Sequence, residues 1–166
     1  KQIDVAEAHI ADAVSKGATV LAGGRRIPGT GQFFEPTLLG GCNHDMTVMR
    51  EEIFGPIVPI MKVDSDEEAI RLANESHLGL NAYVFTKDRE YGERVARRIE
   101  AGSVLVNDVV ANGAMAEAPF GGIKQSGMGR VLGDDSLRDL CDVLHVNVDR
   151  FSMGSDNPLW FPYSEK

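Results

Sequence analysis

Ile3, Ala6, Ile10, Ala13 and Val14 recur three and four positions apart, with Glu7, Asp12 and Lys16 set between them. That period predicts an amphipathic helix, stopped at Gly17, a residue that accepts the left-handed conformation of a helix end. Residues 19–22 read as a short strand closed by Gly23 and Gly24, and residues 25–32 as a Gly- and Pro-rich loop. Pro36 keeps residues 33–39 extended, because a proline lacks the N–H that a helix interior needs. Residues 57–63 read as a strand, at an edge or in an irregular ladder because of Pro59. Ser65-Asp-Glu-Glu68 is a capping box ahead of Ala69, Ile70, Leu72 and Ala73, and that helix should run to about residue 76 before a turn at Leu78-Gly79.

The alternation of elements continues downstream. Residues 82–86 predict a strand, Asp88 an N-cap, and Tyr91, Val95 and Ile99 one face of a helix ended by Ala101-Gly102. Residues 103–107 predict a further strand, residues 108–133 a long irregular segment, and residues 133–141 a short helix. Over residues 143–149, Leu144, Val146 and Val148 face one way and His145, Asn147 and Asp149 the other, the pattern of a half-buried strand. Strands alternating with helices of this length imply the α/β class, with a mainly parallel sheet flanked by helices. Residues 151–166 form a separate aromatic tail carrying Trp160, Phe161 and Tyr163.

Composition narrows the classes. The chain has 166 residues, 43% apolar and 25% charged, ordinary globular material for one domain with at most an appendage. Its 17 basic residues stand against 25 acidic ones, a net charge of −8, so neither nucleic acid nor an anionic membrane is an expected partner. No apolar run approaches the about 18–20 residues that span a bilayer. The two cysteines, Cys42 and Cys141, make no disulfide framework and no zinc spacing, and the four histidines show no ligand spacing, so no metal is expected. Two lone thiols suit a reducing compartment, and the cytoplasm is the expected location. The chain starts at Lys1 directly in a helical pattern, so it is expected to be a piece of a longer protein.

Two segments carry candidate chemistry. Arg50-Glu-Glu-Ile-Phe-Gly-Pro56 reads either as a turn with a solvated glutamate or as a ligand loop. In the second reading the carboxylate of Glu52 accepts hydrogen bonds from paired ribose hydroxyls. Phe54, two residues on and on the same side of an extended backbone, offers its face to a flat nicotinamide. Pro119-Phe-Gly-Gly-Ile-Lys-Gln-Ser-Gly-Met-Gly-Arg130 is Gly-rich, but its third glycine, Gly133, comes one position late for a dinucleotide fingerprint, and no Gly-Lys-Ser/Thr occurs. It reads as a loop whose glycines let backbone cross backbone. Cys42 and His44 only share a face in extended chain and make no dyad by proximity alone. Cys141 is expected to be a buried, inert thiol.

Eight stretches in fixed order resemble the aldehyde dehydrogenase superfamily. They are Gly17-Ala-x-Val-Leu-x-Gly-Gly24, Phe34-Glu-Pro-Thr37, Asp45-Met46, Glu51-Glu-Ile-Phe-Gly-Pro56, Leu72-Ala-Asn-x-x-x-x-Gly-Leu80, Val84-Phe-Thr-Lys-Asp88, Ala101-Gly-Ser-Val-x-Val-Asn107 and the 119–130 loop. The match corresponds to the C-terminal third or so of a typical member. The resemblance implies that Glu52 holds the nicotinamide ribose of NAD or NADP, that Phe54 contacts the nicotinamide end, and that Phe120 lines the aldehyde tunnel. Residues 108–118 would form part of the tunnel mouth. It also implies that residues 143–149 are the family's oligomerising strand, making a homo-oligomer. The chain then divides into residues 1–142, the C-terminal part of a catalytic domain; residues 143–150, the oligomerisation strand; and residues 151–166, the tail.

Family chemistry uses a cysteine thiolate that attacks the aldehyde, hydride transfer to NAD(P), and a glutamate that activates water. The surroundings of that cysteine and that glutamate occur nowhere in this sequence, so no catalytic residue is assigned in the chain, and the chain alone is expected to be inactive. The parent is expected to make a carboxylic acid from an aldehyde. The substrate is either succinic semialdehyde, with Lys124 and Arg130 as carboxylate binders or as braces of their own loop, or a larger, fatty-type aldehyde. Two other readings stand beside this one: a non-catalytic module that only assembles into oligomers, and a CoA-acylating semialdehyde dehydrogenase.

Overall fold

The computed structural model describes residues 1–148. Helix α1 (Gln2–Ser15) buries Ala6, Ile10 and Ala13 of the stripe that its spacing predicts, and His9 with them, while Val14 is exposed. Gly17, just past its end, takes φ +100°, and Gly17 N–H donates to Val14 O at 3.0 Å. Strand β1 (Thr19–Ala22) runs antiparallel to β2 (Thr37–Gly40). A short helix, α2 (Thr47–Arg50), lies in the crossover to β3 (Ile57–Pro59), which pairs parallel with β2. β2 is thus the central strand, with Leu39 fully buried and Thr37 buried. The Thr37 hydroxyl is satisfied on both sides: it accepts from Gly24 N–H and donates to Glu35 O, each at 2.8 Å. β3 ends at Pro59, on the edge of its sheet, where a missing N–H breaks no ladder.

Helix α3 (Asp66–Asn74) starts at Ser65, whose hydroxyl accepts from Glu68 N–H at 3.2 Å. Glu68 reaches back one residue further than in the usual box and accepts from Asp64 N–H at 2.9 Å. Strand β4 (Leu78–Gly79) and β5 (Asn81–Val84) follow. Helix α4 (Arg89–Ala96) is capped by Asp88, which accepts from Tyr91 N–H at 3.0 Å. It crosses to β6 (Ser103–Val106), parallel to β5, with Gly92 buried against the sheet. Asn107 ties the outgoing chain to Thr86, donating to its carbonyl at 2.7 Å and accepting from its N–H at 2.8 Å. Beyond a 3₁₀ turn (Ala111–Gly113), β7 (Ile123–Lys124) pairs antiparallel with β4, and α5 (Gly133–Asp139) is the last element among the described residues.

The chain is α/β, and each of its parallel pairs, β2–β3 and β5–β6, has a connection that holds a helix, as crossover geometry requires. Its strands fall into three small sheets, ordered β1-β2-β3, β4-β7 and β5-β6, where the sequence pattern led us to expect one. The 78–79 segment, expected as a turn, is a strand of two residues, too short to show a period. Residues 142–148 carry no strand, contrary to the expected strand over 143–149. Leu144 is 84% exposed, and Val146 and Val148 are exposed with it. A period of two marks which side chains need cover; it does not supply a neighbouring strand. Asp149 and the aromatic tail lie outside the described residues.

One core cluster joins α1, β2, α2 and β3 through Ala6, Ile10, Ala13, Leu39, Cys42, Met46, Val48 and Ile57, with Ile53 packed against it. A polar contact fastens its edge. Asp12 accepts from Lys16 Nζ at 2.7 Å and from Thr47 N–H at 2.8 Å. The Lys16 hydrogen bond, followed by that of Thr47, lowers the carboxyl from its ordinary 3.8 to about 2. A carboxylate with a depressed folded pKa stabilises the fold above its unfolded value, and that contribution is lost as the pH falls through the folded value. Urea melts of wild type and Asp12→Asn should therefore differ above about pH 4 and converge towards about pH 2. A gap between the two that stays constant down to that pH would refute the assignment.

Candidate functional site

Glu51, just past α2, has extended backbone, with φ −104° and ψ 151°. The side chains of Glu51 and Glu52 therefore leave on different sides. Glu51 turns towards α1, its Oε2 3.7 Å from His9 Nε2, and Ile53 packs on the core. Glu52 and Phe54 are both exposed, Phe54 by 75%. The structure thus leaves free the two side chains singled out from the sequence and anchors Ile53 between them, while Glu51 approaches His9 with its own side chain still 66% exposed. Phe54, Gly55 and Pro56 line a cleft of about 280 Å³ whose other walls are Gln2, Ile3 and Ala6 of α1 and Gln32, Phe33 and Phe34. Its shape and apolar lining can accept a flat ring at the Phe54 end, with a carboxylate acceptor nearby in sequence.

Phe120 is not among the residues lining that cleft. It is half-buried and bridges Val131, with N–H to O distances of 2.7 Å in both directions. This clasp closes the Gly-rich loop. Within it Lys124 Nζ donates to Asn74 O at 2.7 Å and Ser76 O at 3.0 Å and pairs with Glu100 at 2.9 Å. Arg130 Nη1 donates to Gly122 O and Gly129 O at 3.0 and 2.7 Å. Of the two roles open to these cations, the structure shows them bracing backbone.

The thiols occupy opposite environments. Cys42 is buried, 3.8 Å from Leu39 O, and His44 pairs with Glu75 at 3.2 Å, so no cysteine–histidine dyad exists there. Cys141 is exposed, which corrects the expectation of a buried thiol. The apolar neighbours in sequence, Leu140 and Val143, are themselves exposed and bury nothing. His9 is the residue that sequence reasoning passed over. A histidine at a position whose helical neighbours Ala6, Ile10 and Ala13 are all core residues was the available signal.

Comparison with known proteins bears on this geometry. A family model described as "Aldehyde dehydrogenase family" matches residues 1–146. The mitochondrial succinate-semialdehyde dehydrogenase of Rattus norvegicus is 46% identical over 146 residues, 88% of this chain and 28% of the relative. The 4,4'-diapolycopene aldehyde oxidase of a Methylomonas species is 40% identical over 164 residues, 99% of this chain and 30% of that protein. The crystal structure of betaine aldehyde dehydrogenase from Staphylococcus aureus in complex with NAD+ superposes with a TM-score of 0.77 at 39% identity, over 83% of this chain and 28% of that one. The chain therefore spans less than a third of the length of these proteins.

Proposed function

Because the chain belongs to the aldehyde dehydrogenase family, we propose that it supplies the coenzyme loop and part of the aldehyde tunnel of an NAD(P)-dependent enzyme that oxidises an aldehyde to the carboxylic acid. One observation carries this reading: Glu52 and Phe54 stand exposed on either side of Ile53, which packs on the core, with Phe54 at a cleft. Glu52 accepts from the two hydroxyls of the nicotinamide ribose, and Phe54 lies against the nicotinamide face. The bound coenzyme supplies the hydride acceptor; this loop orients it. Phe120 borders the aldehyde. NAD is favoured by the solved NAD+ complex of a relative, and NADP is the alternative.

Succinic semialdehyde is the favoured substrate, on the 46% identity to the rat enzyme of that name. Since Lys124 and Arg130 are engaged with backbone carbonyls, its second carboxylate is recognised elsewhere. A larger apolar aldehyde is the second reading, favoured by the match to the diapolycopene aldehyde oxidase over 99% of the chain. Residues 143–149 pair with a neighbouring subunit in a homo-oligomer, a reading supported by the exposure of Leu144, Val146 and Val148, which alternate in sequence with polar residues. The two free thiols support a reducing compartment, with the cytoplasm proposed.

The nucleophile and the general base lie in a segment that this chain does not contain, so residues 1–166 alone oxidise nothing. Purified chain mixed with NAD or NADP and succinic semialdehyde should form no reduced coenzyme, while the full-length enzyme should form it. Reduced coenzyme formed by the chain alone, and abolished by Cys42→Ser, would overturn this proposal.

A further inference from the structure

α1 presents three polar side chains, His9, Asp12 and Lys16, at three- and four-residue spacing and so on one face. Each meets a successive point of the segment that leads into the coenzyme loop. Lys16 Nζ donates to Asp45 O at 2.7 Å, Thr47 N–H donates to Asp12 at 2.8 Å, and His9 Nε2 lies 3.7 Å from Glu51 Oε2. Going down the helix goes up the segment. Buried Met46 and Val48 fill the space along this seam against Ala6, Ile10 and Ala13.

His9 is the unusual member. It is only 6% exposed, and its Nδ1 has no hydrogen-bond partner among the described residues. A polar ring in such a place is costly to bury, and an apolar side chain would pack there without that cost. What the ring gains is Glu51, at a separation too long for a direct hydrogen bond but within reach of a charge. The backbone at Glu51 is extended, so Glu52 leaves on the side away from Glu51, whose carboxylate reaches towards His9 from solvent, and Ile53 on the core repeats the constraint for Phe54.

We propose that His9 is a positioning residue that, by holding Glu51 against α1, sets how Glu52 and Phe54 meet the nicotinamide end of the coenzyme. The inference rests on the reading of Glu52 and Phe54 given above. His9 itself touches no coenzyme. Its effect is therefore confined to the nicotinamide half, whereas a general loss of packing would weaken binding of every part.

The test measures equilibrium binding to the full-length enzyme of two probes: NADH or NADPH, whichever binds wild type more tightly, and ADP, which lacks the nicotinamide half. His9→Leu should weaken binding of the reduced coenzyme by about tenfold and leave ADP binding unchanged. His9→Gln, which keeps a donor, should restore most of the loss. Glu51→Gln, at an exposed carboxylate that folding tolerates, should reproduce the selective loss even if His9→Leu fails to fold. Equal weakening of both probes, or no effect of Glu51→Gln, overturns the inference. Glu52→Gln separates the two levels: if it weakens the reduced coenzyme while the His9 and Glu51 variants do not, only the positioning role fails. If Glu52→Gln is silent, the coenzyme-loop reading fails with it.

Discussion

Glu52→Gln in the full-length enzyme is expected to lower coenzyme affinity or the rate of hydride transfer by about ten- to a hundredfold, without unfolding the protein. The amide keeps the shape of the carboxylate but removes its charge and replaces one acceptor oxygen with a donor. A hydrogen bond to a charged group contributes about 1.5–3 kcal/mol, and each 1.4 kcal/mol is about tenfold. Glu52 is exposed and projects away from the core, so the stability cost should stay within about 0.5 kcal/mol. Steady-state kinetics with varied coenzyme, run beside a thermal melt, separates the two effects. An unchanged kinetic profile counts against the ribose-binding role. A lowered melting temperature with proportionate loss of activity would mean instead that the loop depends on Glu52 for its shape.

Gly102→Ala is expected to be the most damaging single change to the fold. A Cβ built there lies 1.7 Å from Gly121 O, 2.8 Å from Gly121 C and 3.2 Å from Gly122 Cα. These are backbone atoms of the Gly-rich loop, and they cannot rotate aside. On its other side Gly102 N–H donates to Gly79 O at 3.0 Å, so the residue is held between β4 and the loop. Overpacking costs about 1–3 kcal/mol where side chains can adjust, and more where main chain must move. The variant should lose about 3 kcal/mol or more, read as a depressed melting temperature or as insoluble protein. Gly113→Ala is the control: a Cβ there meets nothing within 4 Å, and its φ is not positive. A melting curve for Gly102→Ala that overlays that control would show that the loop does not sit under β6.

Those two positions also show what can be read from a chain without its coordinates. Gly121 belongs to a loop whose glycines were expected to let backbone cross backbone, and the Gly121–Gly102 approach is that crossing. The capped helices were equally legible, because Ser65, Glu68 and Asp88 act within a few residues of their own position. The exposure of Glu52 and Phe54 was legible because it too depends on local chain geometry. Long-range matters were not. Which strands join one sheet depends on neighbours dozens of residues away, and a two-residue strand such as β4 has no pattern to offer. The exposure of Cys141 depends on what else covers it. Lys124 and Arg130 looked free because nothing in the sequence says that carbonyls of residues 74, 76, 122 and 129 converge on them. His9 was missed for the same reason, since its contact, Glu51, lies far along the chain.

The contrast between the two thiols has a chemical consequence. Cys42 is shielded by Leu39 and the rest of the core, whereas Cys141 stands in solvent beside Leu140. Oxidants and electrophiles act on accessible sulfur first. Early thiol damage would therefore collect at Cys141, next to residues 142–148, with exposed Met128 the most accessible thioether among the described residues, and Cys42 in the core would be spared.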